Sequence, residues 1–206
     1  MVKLAIFDMD GTVFESYLDW KKIKKELCIE NGNILKEIYN NNSIDYEKLK
    51  ILEKHEEQNT LKTRPLNGVF EFISFLKNNK IKISLITNNS KKNTEYLLNK
   101  FNLKFDVVIT RDMKFWKPDA DAFFYLMDLY KYTPEEILSI GDSHYDIIAS
   151  KKAGISDVFI VKKDKKNGVE YSIQDDKRFS GEKIVFFDNY FELKKRFIEK
   201  YNIEDI

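Results

Sequence analysis

The chain predicts an α/β fold, a doubly wound parallel sheet with a small all-helical insertion, and three observations carry that expectation. Short apolar runs recur along the sequence, helical patterns separate most of them, and one stretch near the start contains no strand candidate at all. At 206 residues there is room for one sizeable core domain and a small accessory module.

The first run, Lys3–Phe7, is apolar on both alternating faces and reads as a strand buried on both sides. It is too short for a secretory or transmembrane segment. From Ser16 to Arg64 only charged helical patterns follow, broken at Asn31-Gly32-Asn33 and Asn40-Asn41-Asn42-Ser43. Asn42-Ser43 and Asp45 offer helix starts, with Tyr46, Leu49 and Leu52 at helical spacing beyond them. The expected organisation is therefore a core of residues 1–15 and 65–206, with residues 16–64 inserted as a helical module. Asn67 is placed to start the next helix, with Val69, Phe70, Ile73 and Leu76 facing inward. Ile81–Ile86 is the second strand, and Ser90 is a helix start for a segment reaching about Phe101. Phe105–Thr110 is the third strand. Pro118-Asp119 opens a helix whose inward face is Ala122, Phe123, Leu126 and Leu129. Ile137–Ile140 is the fourth strand, followed by a helix from His144 to Ala153 that Gly154 ends. Asp157–Val161 and Ile184–Phe187 complete the strands. The tract Lys162–Gly168 between them reads as a charged turn.

Thirty-five basic and 34 acidic residues leave a net charge of +1, which gives no electrostatic case for nucleic acid or a membrane as partner. Cys28 is the single cysteine, so no internal disulfide forms, and a cytoplasmic location is expected. Oligomeric state is not legible.

In an open parallel sheet, ligands bind beyond the carboxyl ends of the strands. The residues standing there are Asp8-Met9-Asp10-Gly11-Thr12 after the first strand and Thr87-Asn88-Asn89 after the second. Lys117-Pro118 comes a little after the third, and Gly141-Asp142-Ser143-His144-Tyr145-Asp146 after the fourth. Asp8, Asp10, Asp142 and Asp146 brought together would repel unless a hard cation lay among them, and an all-oxygen set suits Mg²⁺. A cation with Lys117 would bind a dianion such as a phosphate monoester, with Thr87 as a hydroxyl donor. One carboxylate could then attack phosphorus while a second handles the proton of the leaving oxygen. Asp8 and Asp10, two residues apart at a strand end, fit that division.

These four segments, in this order and each after a strand, resemble the motifs of the haloacid dehalogenase-like hydrolase superfamily over residues 1 to 161. The resemblance implies a Rossmann-like core and a small-molecule phosphate ester as substrate. It implies Asp8 as nucleophile and Asp10 as general acid/base. It further implies Mg²⁺ held by the Asp8 side chain, the Asp10 main-chain carbonyl and Asp142, with Asp146 in support. Thr87, Asn88 and Lys117 match the phosphate-binding positions. The insertion is similar to the mobile cap of the subgroup containing phosphoglycolate phosphatases and β-phosphoglucomutases. A phosphosugar mutase and a non-catalytic phosphate-binding module are the alternatives. Trp116, after Phe115, stands where relatives often have glycine, and a packing role at the seam is expected for the pair. Asp146 is open between metal support and helix capping, and Arg64 between a substrate anion and a neighbouring acid. His144 is expected as a loop or capping residue and His55 on a solvated face. Tyr17, Trp20, Lys21, Lys24, Tyr39, Asn41 and His55 are the candidates for selecting the leaving group.

Overall fold

The structure is a computed structural model that describes residues 1–40, 43–162, 176–181 and 183–205. Six strands form one all-parallel sheet: β1 (Leu4–Phe7), β2 (Lys82–Ile86), β3 (Val107–Ile109), β4 (Ile137–Gly141), β5 (Asp157–Val161) and β6 (Ile184–Phe187), in the order β3-β2-β1-β4-β5-β6. Successive strands run outward from β1 to one edge and from β4 to the other. The strand order therefore reverses between β1 and β4, which is where a crevice opens at the carboxyl ends.

Alternation along β1 explains why the sheet needs helices on both faces. Ala5 and Phe7 join the cluster under α4 (Val69–Asn78), α5 (Lys91–Lys100) and α8 (Tyr190–Tyr201), whereas Leu4 and Ile6 pack against α6 (Asp121–Tyr130) and α7 (His144–Lys152). In the first cluster Phe72 contacts the rings of Phe7, Phe75, Tyr190 and Phe197. Burying a ring of that size stabilises by roughly 1.5–3 kcal/mol.

Between β1 and α4 lie α1 (Trp20–Glu26), α2 (Ile34–Ile38) and α3 (Tyr46–Lys62), and no strand among the described residues. Asp19, Asn33 and Asp45 start these helices by accepting main-chain N–H bonds. Ile23, Leu27, Ile34, Leu35, Ile38 and Leu52 form a cluster of their own, with Trp116 of the sheet portion packed against it.

Several local expectations need correction. Gly68, not Asn67, is the residue preceding α4, and the Asn67 carbonyl instead accepts the N–H of Tyr190. Phe70 is exposed while Phe72 and Phe75 are buried, because the α4 stripe is set by the aromatic cluster and not by the earlier start. Helix α6 begins at Asp121, two residues later than Asp119, and Leu129 is 50% exposed. Tyr46 is exposed at the first position of α3. From residue 163 onward the Lys162–Gly168 tract lies outside the described residues, as does Asn41. Among the described residues, no helix is long and apolar enough to cross a membrane.

Candidate active site

The loop after β1 folds back tightly. The N–H groups of Thr12, Val13 and Phe14 all donate to the Met9 carbonyl, and Gly11 N–H donates to Phe14 O. Gly11 has φ +84°, and a Cβ there would lie 2.0 Å from Asp142 Oδ2, so glycine alone lets the first and fourth segments touch. A Cβ on Gly141 would strike the Asp146 carboxyl group in the same way. Both glycines serve close approach of acids. From α8, Tyr190 donates its hydroxyl to the Thr12 carbonyl at 3.0 Å and steadies the loop from below.

Asp8, Asp142 and Asp146 are buried, and each offers an oxygen within 4.8 Å of the others. Lys117, itself buried, donates at 2.5 Å to both Asp8 Oδ1 and Asp146 Oδ1. Thr12 donates to Asp8 Oδ2 at 3.2 Å. Burial pushes the Asp8 carboxyl well above the usual range; Lys117 opposes this, and the charges of Asp146 and Asp142 add to it. Asp146 is held below its usual value. Burial works against its charge, but Lys117 and bonds from Ser143 outweigh it. For Lys117, burial likewise disfavours the charge, and the two carboxylates overcome it, so the ammonium is held above its usual value.

Of the two roles left open for Asp146, the helix-capping one is visible, and the same carboxylate also holds Lys117. Its Oδ2 accepts from Ser143 Oγ at 2.6 Å, Ser143 N at 3.0 Å and Asp142 N at 3.2 Å, which fastens the start of α7. Its Oδ1 takes Lys117. Ser143 is the residue preceding α7, so His144 falls in the first turn, stacked edgewise on Tyr145.

Asp10 stands apart from the three acids. Asn89 Nδ2 donates to its Oδ2 at 2.8 Å, and Asn59 Nδ2, from α3, to its Oδ1 at 3.4 Å. Burial raises its pKa to about 6; the Asn89 bond pulls down, Asp142 pushes up, and Lys117 and Arg111 pull down. Thr87 is buried, and its Oγ accepts the Asn89 N–H at 3.0 Å. Asn88 spends both ends of its amide on the main chain of Lys117, accepting from N at 2.8 Å and donating to O at 2.9 Å.

Partners from α3 and from the end of β3, none of them among the residues expected from the sequence, complete the surroundings of Asp10. Glu56, Asn59, Thr60 and Thr63 are buried on one side of α3 and just beyond it, although none is apolar. Arg111, just after β3, is 1% exposed at its side chain and pairs with Glu56, itself 3% exposed, and with Glu53 at 3.6 Å. Arg111 stands at a strand end, so the positional test that found Lys117 would have found it too. The polar residues of α3 follow the i, i+3, i+4, i+7 spacing of a buried face, a signal that apolar periodicity does not register.

Of the residues expected to select the leaving group, Tyr39 stacks on Trp116 with centroids 5.1 Å apart and lies within electrostatic reach of Arg111. Trp116 thus packs at the seam, while Phe115 contacts Tyr125 of α6. Tyr17, Trp20, Lys21 and Arg64 are exposed. His55 is largely covered, not solvated as expected, because it pairs with Glu26 of α1 at 2.7 Å.

The model of the haloacid dehalogenase-like hydrolase family matches residues 5–160. A haloacid dehalogenase-like hydrolase domain-containing protein of Arabidopsis thaliana is 28% identical over 164 residues, covering 73% of this chain and 67% of that protein. Phosphoglycolate phosphatase 1 of Pseudomonas aeruginosa is 34% identical over 91 residues, 43% of this chain and 34% of that protein. Among solved structures, CbbY from Rhodobacter sphaeroides in complex with phosphate superposes with a TM-score of 0.67 at 20% identity, covering 94% of this chain and 96% of that one. The family model covers most of the chain, and the chain belongs to the haloacid dehalogenase-like hydrolase family.

Proposed function

We propose that the chain is a Mg²⁺-dependent phosphatase that hydrolyses a small phosphate monoester through an aspartyl phosphate on Asp8. The observation that carries the reading is the separation of two acids at one strand end. Asp8 sits in the charged cluster with Lys117, and Asp10 is held outside it by Asn89 and Asn59. The phosphoglycolate phosphatase name of one relative supports the substrate class.

In the first half-reaction an Asp8 oxygen bonds to phosphorus, the bond from phosphorus to the ester oxygen breaks, and Asp10 gives that oxygen its proton. In the second, Asp10 takes a proton from water, the water oxygen bonds to phosphorus, and the Asp8 carboxylate is released with phosphate. Asp10 suits this because its pKa of about 6 lets it hold and return a proton near neutrality. Lys117 counters phosphoryl charge, the Thr87 hydroxyl can donate to a phosphoryl oxygen, and Asn88 acts by fixing the Lys117 main chain.

The donor set fits a hard divalent cation: three buried carboxylates with oxygens within 4.8 Å and no nitrogen or sulfur ligand in the group. Asp8, Asp142 and Asp146 would hold Mg²⁺, together with the Asp10 carbonyl that the family resemblance implies. Bound there, the ion would favour the ionised form of Asp8 and neutralise phosphoryl charge. Residues 16–64 are proposed as the cap module, since α3 lays its polar side over Asp10 while α1–α3 keep a separate apolar cluster. Hydrolysis of p-nitrophenyl phosphate in Mg²⁺ is the test. Asp8→Asn is expected to lower turnover by roughly 10³-fold or more without loss of fold, and a variant that keeps wild-type turnover would remove Asp8 from the mechanism.

A further inference from the structure

Two buried side-chain polar atoms among the described residues lack a hydrogen-bond partner, and they belong to one ion pair: Glu56 Oε2 and Arg111 Nη2. Buried polar groups are normally satisfied; here Arg111 Nη2 has only its long ion-pair contact with Glu53 Oε1 at 3.6 Å and Glu56 Oε2 has no hydrogen-bond partner, so the pair marks a place where a ligand can complete the bonding. The pair spans the seam between α3 and the segment after β3. Arg111 Nη1 also reaches the Asn88 carbonyl at 3.4 Å, and its N–H donates to Asn89 O at 3.2 Å. Asn89 holds Asp10, and Asn59, one turn beyond Glu56 on α3, touches Asp10 as well. The pair therefore borders the acid that serves the departing oxygen, which is the leaving-group side of the site.

Resting on the phosphatase reading above, we infer that Glu56 and Arg111 form a specificity site that selects a neutral, hydroxylated leaving group over an anionic one. Charge argues for it. Arg111 already faces two carboxylates, Glu56 and Glu53, with Asp10 close enough to act on Glu56. A second phosphate or a carboxylate on the substrate would enter a region that is already net negative. Hydroxyl groups fit better, because each can accept from Arg111 Nη2 and donate to Glu56 Oε2 without bringing charge. Sites that hydrogen-bond a substrate hydroxyl reject analogues lacking it strongly, since their own groups are then left unpaired.

The experiment compares kcat/KM in Mg²⁺ for a pentose phosphate and glycerol phosphate, for phosphoglycolate and inorganic pyrophosphate, and for p-nitrophenyl phosphate. The wild type is expected to prefer the hydroxylated esters over the two anionic ones by about tenfold or more. Glu56→Gln and Arg111→Lys are expected to shrink the ratio of hydroxylated ester to p-nitrophenyl phosphate by about tenfold. Equal or better turnover of phosphoglycolate or pyrophosphate by the wild type overturns the inference, and this arm needs no variant to fold. So does a uniform loss on every substrate in folded variants, which would make the pair a structural clasp. Wild-type protein that turns over no ester, p-nitrophenyl phosphate included, overturns the phosphatase reading itself and this inference with it.

Discussion

Two buried ion pairs lie within electrostatic reach of Asp10, and they are built differently. In the first, Lys117 gives its ammonium to Asp8 and Asp146, and Asp146 accepts three more bonds from the Asp142 and Ser143 segment. In the second, Arg111 Nη1 meets Glu56 Oε1, while Arg111 Nη2 reaches only Glu53 at 3.6 Å and Glu56 Oε2 has no hydrogen-bond partner. The first comes wholly from the sheet portion of the chain, from the end of β1, the segment beyond β3 and the first turn of α7, and its members are bonded to one another without any substrate. The second joins the sheet to α3. A fully bonded cluster supplies preorganised charge for the chemistry, whereas a half-bonded pair is suited to reading what the substrate brings.

The difference can be broken at its strongest point first. Lys117→Met leaves Asp8 and Asp146 without their shared cation, and in EDTA the variant should lose about 3–5 kcal/mol of unfolding free energy, measured in urea. An unchanged midpoint would mean that the acids do not depend on Lys117. The second pair is probed by pH. Burial, only partly opposed by Arg111, raises Glu56 from 4.5 to about 7. Between these values the folded state keeps a proton that the unfolded chain has released, so stability falls as pH rises through the window. Glu56→Gln has no such proton, and its stability relative to wild type should climb by about 3 kcal/mol from below to above that window. Parallel curves would contradict the placement of Glu56.

Addition of Mg²⁺ sharpens the contrast further. A cation that binds only the folded acid cluster should stabilise by about 2.7 kcal/mol at a hundredfold excess over Kd. The gain should vanish in Asp142→Asn, as differential scanning calorimetry can show. The smallest effect concerns the link between the two regions. Asn59 accepts the Tyr17 N–H at 2.7 Å while donating to Asp10. Asn59→Ala should cost about 1 kcal/mol of stability and lower kcat on p-nitrophenyl phosphate more than it raises KM. The reverse pattern would make Asn59 a contact to bound substrate and not a support for Asp10.

The two regions were also unequally legible in the sequence. Asp8, Thr87, Lys117 and Asp142 could be placed because each follows a short apolar run, and a parallel sheet brings such positions to one edge. The helix stripes were less exact. Leu129 and Phe70 fit the spacing but face outward, since which side of α6 and α4 is covered depends on neighbours distant in sequence. Glu56 was hidden for a sharper reason. In a run such as Glu53-Lys54-His55-Glu56-Glu57 every side chain looks solvated, and only the arrival of Arg111 from 55 residues away makes one of them buried. His55 was misplaced in the same way, by Glu26 of another helix. Polar burial is decided by tertiary partners, which local pattern does not contain.

The central claim is that Asp8 carries the phosphoryl group, and the most direct measurement is acid quenching during turnover of a phosphate ester in Mg²⁺, followed by peptide mass analysis. The account predicts covalent phosphate on the peptide containing Asp8, absent from Asp8→Asn. Steady turnover with that peptide never phosphorylated, or phosphate found on a different residue, would contradict it.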